Sequence, residues 1–408
     1  MNFKRKLWWA QHRTDVYKYG TILSLVLIVT VSIIYFTYSK FSSTNEMTMY
    51  ETTVEPFIKN DYFIASYIDG EWSNEIPGKA DGYVVDKIVC DNGAVGTWDN
   101  DEWGINIRNA TQKIKCSVFF KQATIILGKV IEDESQIATD DPDSNIRYIG
   151  ANPNNYVYFN CSDYNNQSDS TCEKWRIIGV FKNMTKEDGS KADLVKIIRD
   201  DSLENIAWDS NNVNDWSKAS LQTTLNGEYY NGTYATGALK NDSTRNAIES
   251  VVWNLGGTAK YTTSSNGLAS HWYGYERGTT VYSGRPTTWT GRIALMYPSD
   301  YGYATAGGAT TNRAACLAKE LYNWDGSGVS DCKNNDYLYK SSYSQWTLAP
   351  YSSNANSVFL VHTGGFVNVN SAIDDRSSVR PVAFLKSNIS ITDVGLGTAE
   401  SPFQLKVG

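Results

Sequence analysis

Along most of the chain, apolar and polar positions alternate in short runs bounded by Gly, Pro, Asn and Asp, the period-two pattern that predicts β-strands. Such runs fall at 61–68 (DYFIASYI), 82–90 (GYVVDKIVC), 104–109 (GINIRN) and 113–120 (KIKCSVFF), and again at 156–160 (YVYFN), 175–181 (WRIIGVF) and 194–200 (LVKIIRD). Helical spacing is predicted around Ala219–Leu225 and Ser243–Leu255, after which strand patterns return. Strands, then helices, then strands is an α+β order rather than an alternating βαβ one. The first four runs predict a small β-sandwich over 57–122, and the later ones a larger α+β domain over 145–408. Between them, residues 123–144 pair an apolar-periodic piece (ATIILGKVIEDES) with an acidic, Pro-containing segment and are expected to be a connector.

The N-terminal pattern is different. Thr21 to Ser39 is nineteen uncharged, mostly apolar positions, which at about 1.5 Å per helical residue cross a hydrocarbon core of about 30 Å. Lys4, Arg5, Lys6, Arg13 and Lys18 precede it and Lys40, then Glu46, Glu51 and Glu55, follow, so residues 1–20 are expected in the cytoplasm and the bulk of the chain outside the cell. The absence of a small-residue cleavage site favours an uncleaved single-pass anchor over a removed signal peptide. A pilin-like start is the alternative, because Gly20 precedes the apolar run, but Leu25 stands where its acidic residue is expected. Residues 40–56, rich in Ser, Thr and Glu, are expected to form a stalk.

The C-terminal stretch from Trp346 to Leu385 has two apolar ends suited to buried strands (Trp346, Leu348, Pro350; Val379 to Leu385) around a middle of Asn, Ser, Asp and Gly. Lys, Glu, Gln, Met and Trp make up 66 of the 408 residues, and the 27 residues from Ser352 to Ser378 contain none of them, where composition alone predicts about four. Those five types cannot be reached from an Asn codon by changing its adenines only. A plain strand-and-turn segment also lacks long charged side chains, so both explanations stay open.

Composition narrows the function class. A net charge of -7 without a basic face argues against nucleic-acid binding. Six cysteines in sequence-local pairs, Cys90 with Cys116, Cys161 with Cys172 and Cys316 with Cys332, are expected to form disulfides outside the cell. No metal or cofactor is expected: a zinc site needs clustered ligands, and the three histidines are His12, His271 and His362. Asp141, Asp143 and Asn145 mimic the start of a calcium loop, but Ile146 and Asn152 replace its required Gly and Glu, which leaves a solvated turn.

No catalytic residue is expected either. Ser270 and His271 with Glu276 and Asp300 lack the spacing of an acyl-transfer triad, and the histidine is expected half-buried in an aromatic loop, HWYGYERG. Trp272, Tyr273, Tyr275, Tyr282, Trp289, Tyr297, Tyr301 and Tyr303 could stack on a ligand; filling the core is the commoner use of such rings. Trp346 and Arg380 are expected to be structural.

Taken in series, YIGANPNNYVYFNC, EKWRIIGVF, YERGTTVYSGRPTTWTG and LMYPSDYGYATAGG, followed by Trp346 and Val379-Arg380-Pro381, resemble a group of surface proteins of gut Firmicutes over residues 60 to 408. The ending is similar to the formylglycine-generating-enzyme branch of the C-type-lectin-like fold, and Ser352–Ser378 resembles the variable region of retroelement-diversified binding proteins. The enzyme's reactive cysteine pair has no counterpart in this C-terminal segment, so its activity does not carry over. What the resemblance implies is a C-type-lectin-like domain over 145–408 that binds an extracellular protein or carbohydrate, adhesin-like and without chemistry. Its contact surface is expected at Asn354, Asn356, Phe359, Val361, His362, Phe366, Asn368, Asn370, Ile373, Asp374 and Arg376, with Phe359, Val361 and Phe366 partly buried. A cell-wall hydrolase and a minor pilin or envelope component are the rival functions.

Overall fold

The computed structural model describes residues 62–408 except 69, 79–82, 100, 101, 111, 112, 123, 126–128, 131–133, 393 and 408, together with residues 14, 18, 22, 26 and 30. Apart from those last five, the tail, the membrane segment Thr21–Ser39 and the stalk lie outside the described residues. Among the described residues no helix is long and apolar enough to cross a membrane. The fold is mixed α+β and strand-rich, and the chain divides into two compact units, Met1–Lys79 with Val85–Lys121, and Ala80–Val84 with Gln122–Gly408.

In the smaller unit, strands β1 (Tyr62–Ile68), β2 (Glu71–Ser73), β3 (Tyr83–Cys90) and β6 (Ile114–Gln122) form a sheet in the order β2-β1-β6-β3, with β1 and β6 parallel. Strands β4 (Val95–Asp99) and β5 (Gly104–Arg108) form a separate hairpin. Alternation along β6 puts Ile114, Cys116, Val118 and Phe120 on one buried face. Trp98 from the hairpin meets Phe120 edge-on at 5.2 Å, and within the sheet Cys90–Cys116 staples the neighbouring strands β3 and β6. A core this small needs that covalent help.

The larger unit is built on the hairpin of β11 (Glu173–Thr185) and β12 (Lys191–Arg199). Strand β20 (Val382–Leu385) lies antiparallel on β12, and the main sheet runs β13 (Ile248–Glu249), β20, β12, β11, β9 (Ile146–Tyr148), β8 (Ile137–Ala138). Strand β10 (Tyr156–Phe159) also pairs with β11, and β16 (Ile293–Ala294) with β20. Seven tryptophans, Trp175, Trp208, Trp216, Trp253, Trp272, Trp324 and Trp346, are among its largest fully buried side chains. The disulfides Cys161–Cys172 and Cys316–Cys332 also lie in this unit, the second joining the short helices Arg313–Leu317 and Ser330–Asn334.

Four expectations are corrected. Residues 123–144 are not a free connector: β7 (Thr124–Ile125) pairs with β21 (Ser390–Ile391), itself paired with β22 (Leu405–Lys406), and β8 pairs with β9. Helix in 243–255 stops at Asn246, because Val251, Val252 and Trp253 form strand β14 (Val251–Asn254) against β15 (Thr288–Gly291). β-Branched and aromatic side chains there find partners across a strand that a local pattern cannot reveal. The aromatic segment 269–276 is a helix, Ala269–Glu276. Finally, the turn at 141–145 is solvated only on its outer side: Pro142, Asp143 and Ser144 are exposed, but Asp141 and Asn145 are buried.

The reason is a cluster of charges inside the larger unit. Arg147 on β9 pairs with Asp141 at 2.6 Å and with Asp300 at 2.9 Å, and Lys196 on β12 pairs with the other oxygen of Asp300 at 2.5 Å. All four side chains are buried. Gly179 on β11 makes this possible, since a Cβ there would stand 2.1 Å from the Ile146 carbonyl oxygen and push β9 away. Burial tends to raise the Asp300 carboxyl, but Lys196 and Arg147 hold it below the ordinary range. Burial takes the Lys196 ammonium down to about 8 despite Asp300. Beside them, Glu276 accepts from the Ser299 amide at 2.8 Å and from its hydroxyl at 2.5 Å. Burial pushes its carboxyl up to about 7, against the pull of Arg277 and Ser299.

Two outcomes follow. Asp300→Asn strips the counter-charge from buried Lys196 and one of the two from Arg147, which keeps Asp141, and costs about 3–5 kcal/mol, measurable as a lower urea midpoint. Between pH 4.5, the ordinary value, and about 7, the folded chain keeps a Glu276 proton that the unfolded chain releases, so the stability this group contributes is lost as pH rises through that window. Glu276→Gln mimics the protonated form; between pH 5 and 8 the parent loses on the order of 2 kcal/mol more than this variant in urea titrations.

Candidate ligand-binding surface

Strands β17 (Gln345–Pro350), β18 (Ser357–Val361) and β19 (Val367–Ser371) form a three-stranded antiparallel sheet with β18 in the middle. Every residue of β17 is buried, and so are Val358, Phe359, Leu360 and Val361. The run VFLV is apolar at consecutive positions because both of its faces are covered. This corrects two of the expected contact residues: Phe359 and Val361, at 0% and 1% exposure, are core rather than partly exposed surface. Phe359 packs edge-on against Trp272 at 4.6 Å and Tyr261 at 5.0 Å.

The remaining expected residues do reach solvent, but at two separate ends. At one end lies the turn between β18 and β19, where His362 is exposed and stacks on half-buried Phe366 at 4.5 Å, with Tyr322 6.4 Å from Phe366. At the other end, loops 351–357 and 371–377 bring together Asn354, Asn356, Asn370, Ile373, Asp374 and Arg376. The Ala372 amide donates to the Asn356 carbonyl at 2.8 Å, and Asn370 Nδ2 to Asp374 at 2.9 Å. Ile373 is half-exposed, an apolar side chain standing free among polar ones. Asn368 lies between the ends, accepting from the Tyr261 hydroxyl at 3.0 Å. The four-residue step from Ser357 to Val361 separates the ends by about 13 Å, so the eleven residues are not one patch. Ser353 and Asp375 are also exposed, and only their place in loops distinguished them in the sequence.

What holds these loops is chiefly contact with their main chain. Buried Asn214 donates its amide to the carbonyls of Tyr351, Asn354 and Ser357, each at 2.9 Å, and Arg285 donates to the Ala355 carbonyl. The Asn214 and Asp209 backbone amides donate to the carbonyls of Ala355 and Ala372. At the opposite turn, Tyr339, Lys333 and Tyr301 donate to three consecutive carbonyls, Thr363 at 2.6 Å, Gly364 at 2.5 Å and Gly365 at 2.7 Å. Gly365, at φ +85, supplies the left-handed residue of that turn. Some loop side chains help locally: Asn354 accepts from the Asn356 and Ser357 amides, and His362 Nδ1 from Gly364 N at 3.0 Å. The Asp374 carboxyl is held well below its usual range, chiefly by hydrogen bonds from Arg376.

Other candidate residues are not assembled for chemistry. Ser270 is exposed, His271 is half-buried and accepts from the Leu268 amide, and Glu276 and Asp300 serve the buried charge cluster. Of the aromatic set, Trp272, Tyr273, Tyr297, Tyr301 and Tyr303 are core, while Tyr275, Tyr282 and Trp289 are half-buried. Trp346 is buried with its indole donating to the Ile206 carbonyl, and Arg380 is buried against Gln345. Among the described residues no group of three His, Cys, Asp or Glu side chains could hold a metal ion.

Asn214→Ala leaves three loop carbonyls short of a donor and costs about 1–3 kcal/mol, whereas exposed Asn356→Ala stays within about 0.5 kcal/mol; denaturant titration of both variants checks the contrast. No protein-family model, curated protein or solved structure matches the chain.

Proposed function

We propose that the chain is a membrane-anchored bacterial surface protein that binds an extracellular protein or carbohydrate through Ser352–Ser378, on a domain of C-type-lectin-like architecture. The observation that carries this is the way Asn214, Arg285, Lys333, Tyr301 and Tyr339 grip the segment by its carbonyls. Main-chain contacts survive a change of side chain, so such loops can carry many sequences in one shape. Three disulfides fit an oxidising, extracellular setting. A hydrolase would need carboxylates or a histidine set converging on one opening, and the buried Glu276, Asp300 and Asp336 are instead enclosed.

The test is to sequence the 3′ end of the gene across many cells of one population. Substitutions at adenine positions should fall on the codons for Asn354, Asn356, His362, Asn368, Asn370, Ile373, Asp374 and Arg376, and spare Val358–Val361; uniform variation along the gene would sink the diversified-surface idea. Separately, replacing Asn368, Asn370 and Asp374 together by Ala should weaken attachment of the full chain to host cells at least about tenfold, equivalent to 1.4 kcal/mol, and unchanged attachment would remove these residues from the contact surface.

A further inference from the structure

Away from that surface, the larger unit has an open cleft of about 230 Å³ where the end of β11, strand β14, the C-terminus of the helix Ala269–Glu276 and the turn at 143–145 meet. Its chemistry is lopsided. Lys182 and Arg277 bring two cations, and Asn183, Asn254 and Thr185 bring two amides and a hydroxyl; Asp143 is the one carboxylate, accepting from the Tyr273 hydroxyl at 2.6 Å and 3.8 Å from Arg277, which also donates to Glu276 at 3.3 Å, so Lys182 is the cation left unpaired. The Lys182 ammonium, the side-chain amides of Asn183 and Asn254 and the Thr185 hydroxyl have no hydrogen-bonding partner among the described residues, although their backbones are engaged.

Two features show how the cleft is shaped. The register of β11 on β12 shifts between Phe181 and Met184, lifting Lys182 and Asn183 out of the regular ladder, and Asn183 adopts a left-handed φ of 54°. A bulge of this kind re-aims side chains, and local strain of this kind concentrates at binding sites. The wall behind is rigid: the Lys182 amide donates to buried Asn145 at 2.8 Å, Asn145 donates to Asp141, and Arg277 lies 3.3 Å over the Tyr273 ring. The site is therefore preformed and tied to the buried charge cluster.

A ligand that answers these groups is rich in acceptors, carries a negative charge, and has hydroxyls for the amides and a C–H face for half-buried Met184 and Val252. The volume lies below the roughly 300–1,000 Å³ of sites for drug-sized molecules, which suits a single ring. We infer that this cleft binds a monosaccharide bearing a carboxylate, with the carboxylate on Lys182 and Arg277 and the hydroxyls on Asn183, Asn254 and Thr185. It is a second site, independent of the loops at 352–378.

Calorimetric titration of the full chain at low ionic strength tests this, with glucuronate and N-acetylneuraminate as probes and glucose, glutamate and inorganic phosphate as comparisons. At least one sugar acid should bind with a millimolar or tighter Kd, at least about tenfold more tightly than glucose, since a charge-assisted contact is missing from the neutral sugar. Lys182→Gln, half-exposed and neutral for folding, should weaken that binding about five- to tenfold, and Asn183→Ala should weaken it too. No heat from either sugar acid overturns the inference, as does affinity unchanged in both variants. Phosphate or glutamate binding as tightly as the sugar acids would make the cleft a general anion site and overturn the assignment to sugars.

Discussion

Two cations sit where water does not reach, and the larger unit is arranged around their neutralisation. Arg147 and Lys196 come from different strands, and both depend on Asp300, at the start of a helix more than a hundred residues away in sequence. An ion taken out of water carries a penalty of several kcal/mol unless its partners are placed well. The strands β9 and β12 and the helix Pro298–Ala304 therefore cannot shift independently: any slip of one leaves a charge unanswered. Hydrophobic burial supplies most of the driving force in a core with seven enclosed tryptophans, but it is tolerant of small rearrangements. The ion cluster is not, and it fixes the register in which the apolar faces meet.

On that fixed base stands a part built on the opposite rule. The loops flanking β18 are gripped by donors that reach peptide carbonyls, so their shape depends weakly on which side chains they carry. Strand β18 itself is sealed on both faces, and its apolar run is as demanding as any core segment. The boundary between what can change and what cannot thus falls inside Ser352–Ser378 rather than at its ends, and the solvent-facing residues divide into two groups at opposite ends of a short sheet.

Much of this was legible in the sequence, and the exceptions share a cause. Period-two alternation located β1, β3, β5 and β6, and later β10, β11 and β12, because a half-buried strand writes its exposure directly into its pattern. The local cysteine pairing is the one formed. The failures came where a distant partner decides. Asp141 looks like a solvated turn residue until Arg147 and, through it, Asp300 are brought beside it. Val251 to Trp253 look helical in isolation, and β15 makes them a strand. Phe359 and Val361 were expected in the contact surface, partly buried, because they lie within Ser352–Ser378; the rings of Trp272 and Tyr261 that cover Phe359 come from elsewhere in the chain. The cleft beside Lys182 left no mark at all, since a bulge that lifts two residues out of a ladder has no periodic signature.

The position of β20 has a bearing on synthesis. This strand lies near the C-terminus, yet it pairs with β12, β13 and β16 inside the main sheet. A chain made from its N-terminus exposes the open edge of β12 for the whole time that residues 200 to 381 are still to come, and unpaired edges invite association with other chains. The three disulfides, each closing no more than 26 residues of separation, can all form before β20 arrives. Covalent order would then precede the sheet's completion, leaving the nascent chain locally stapled while its central gap waits for the last strand.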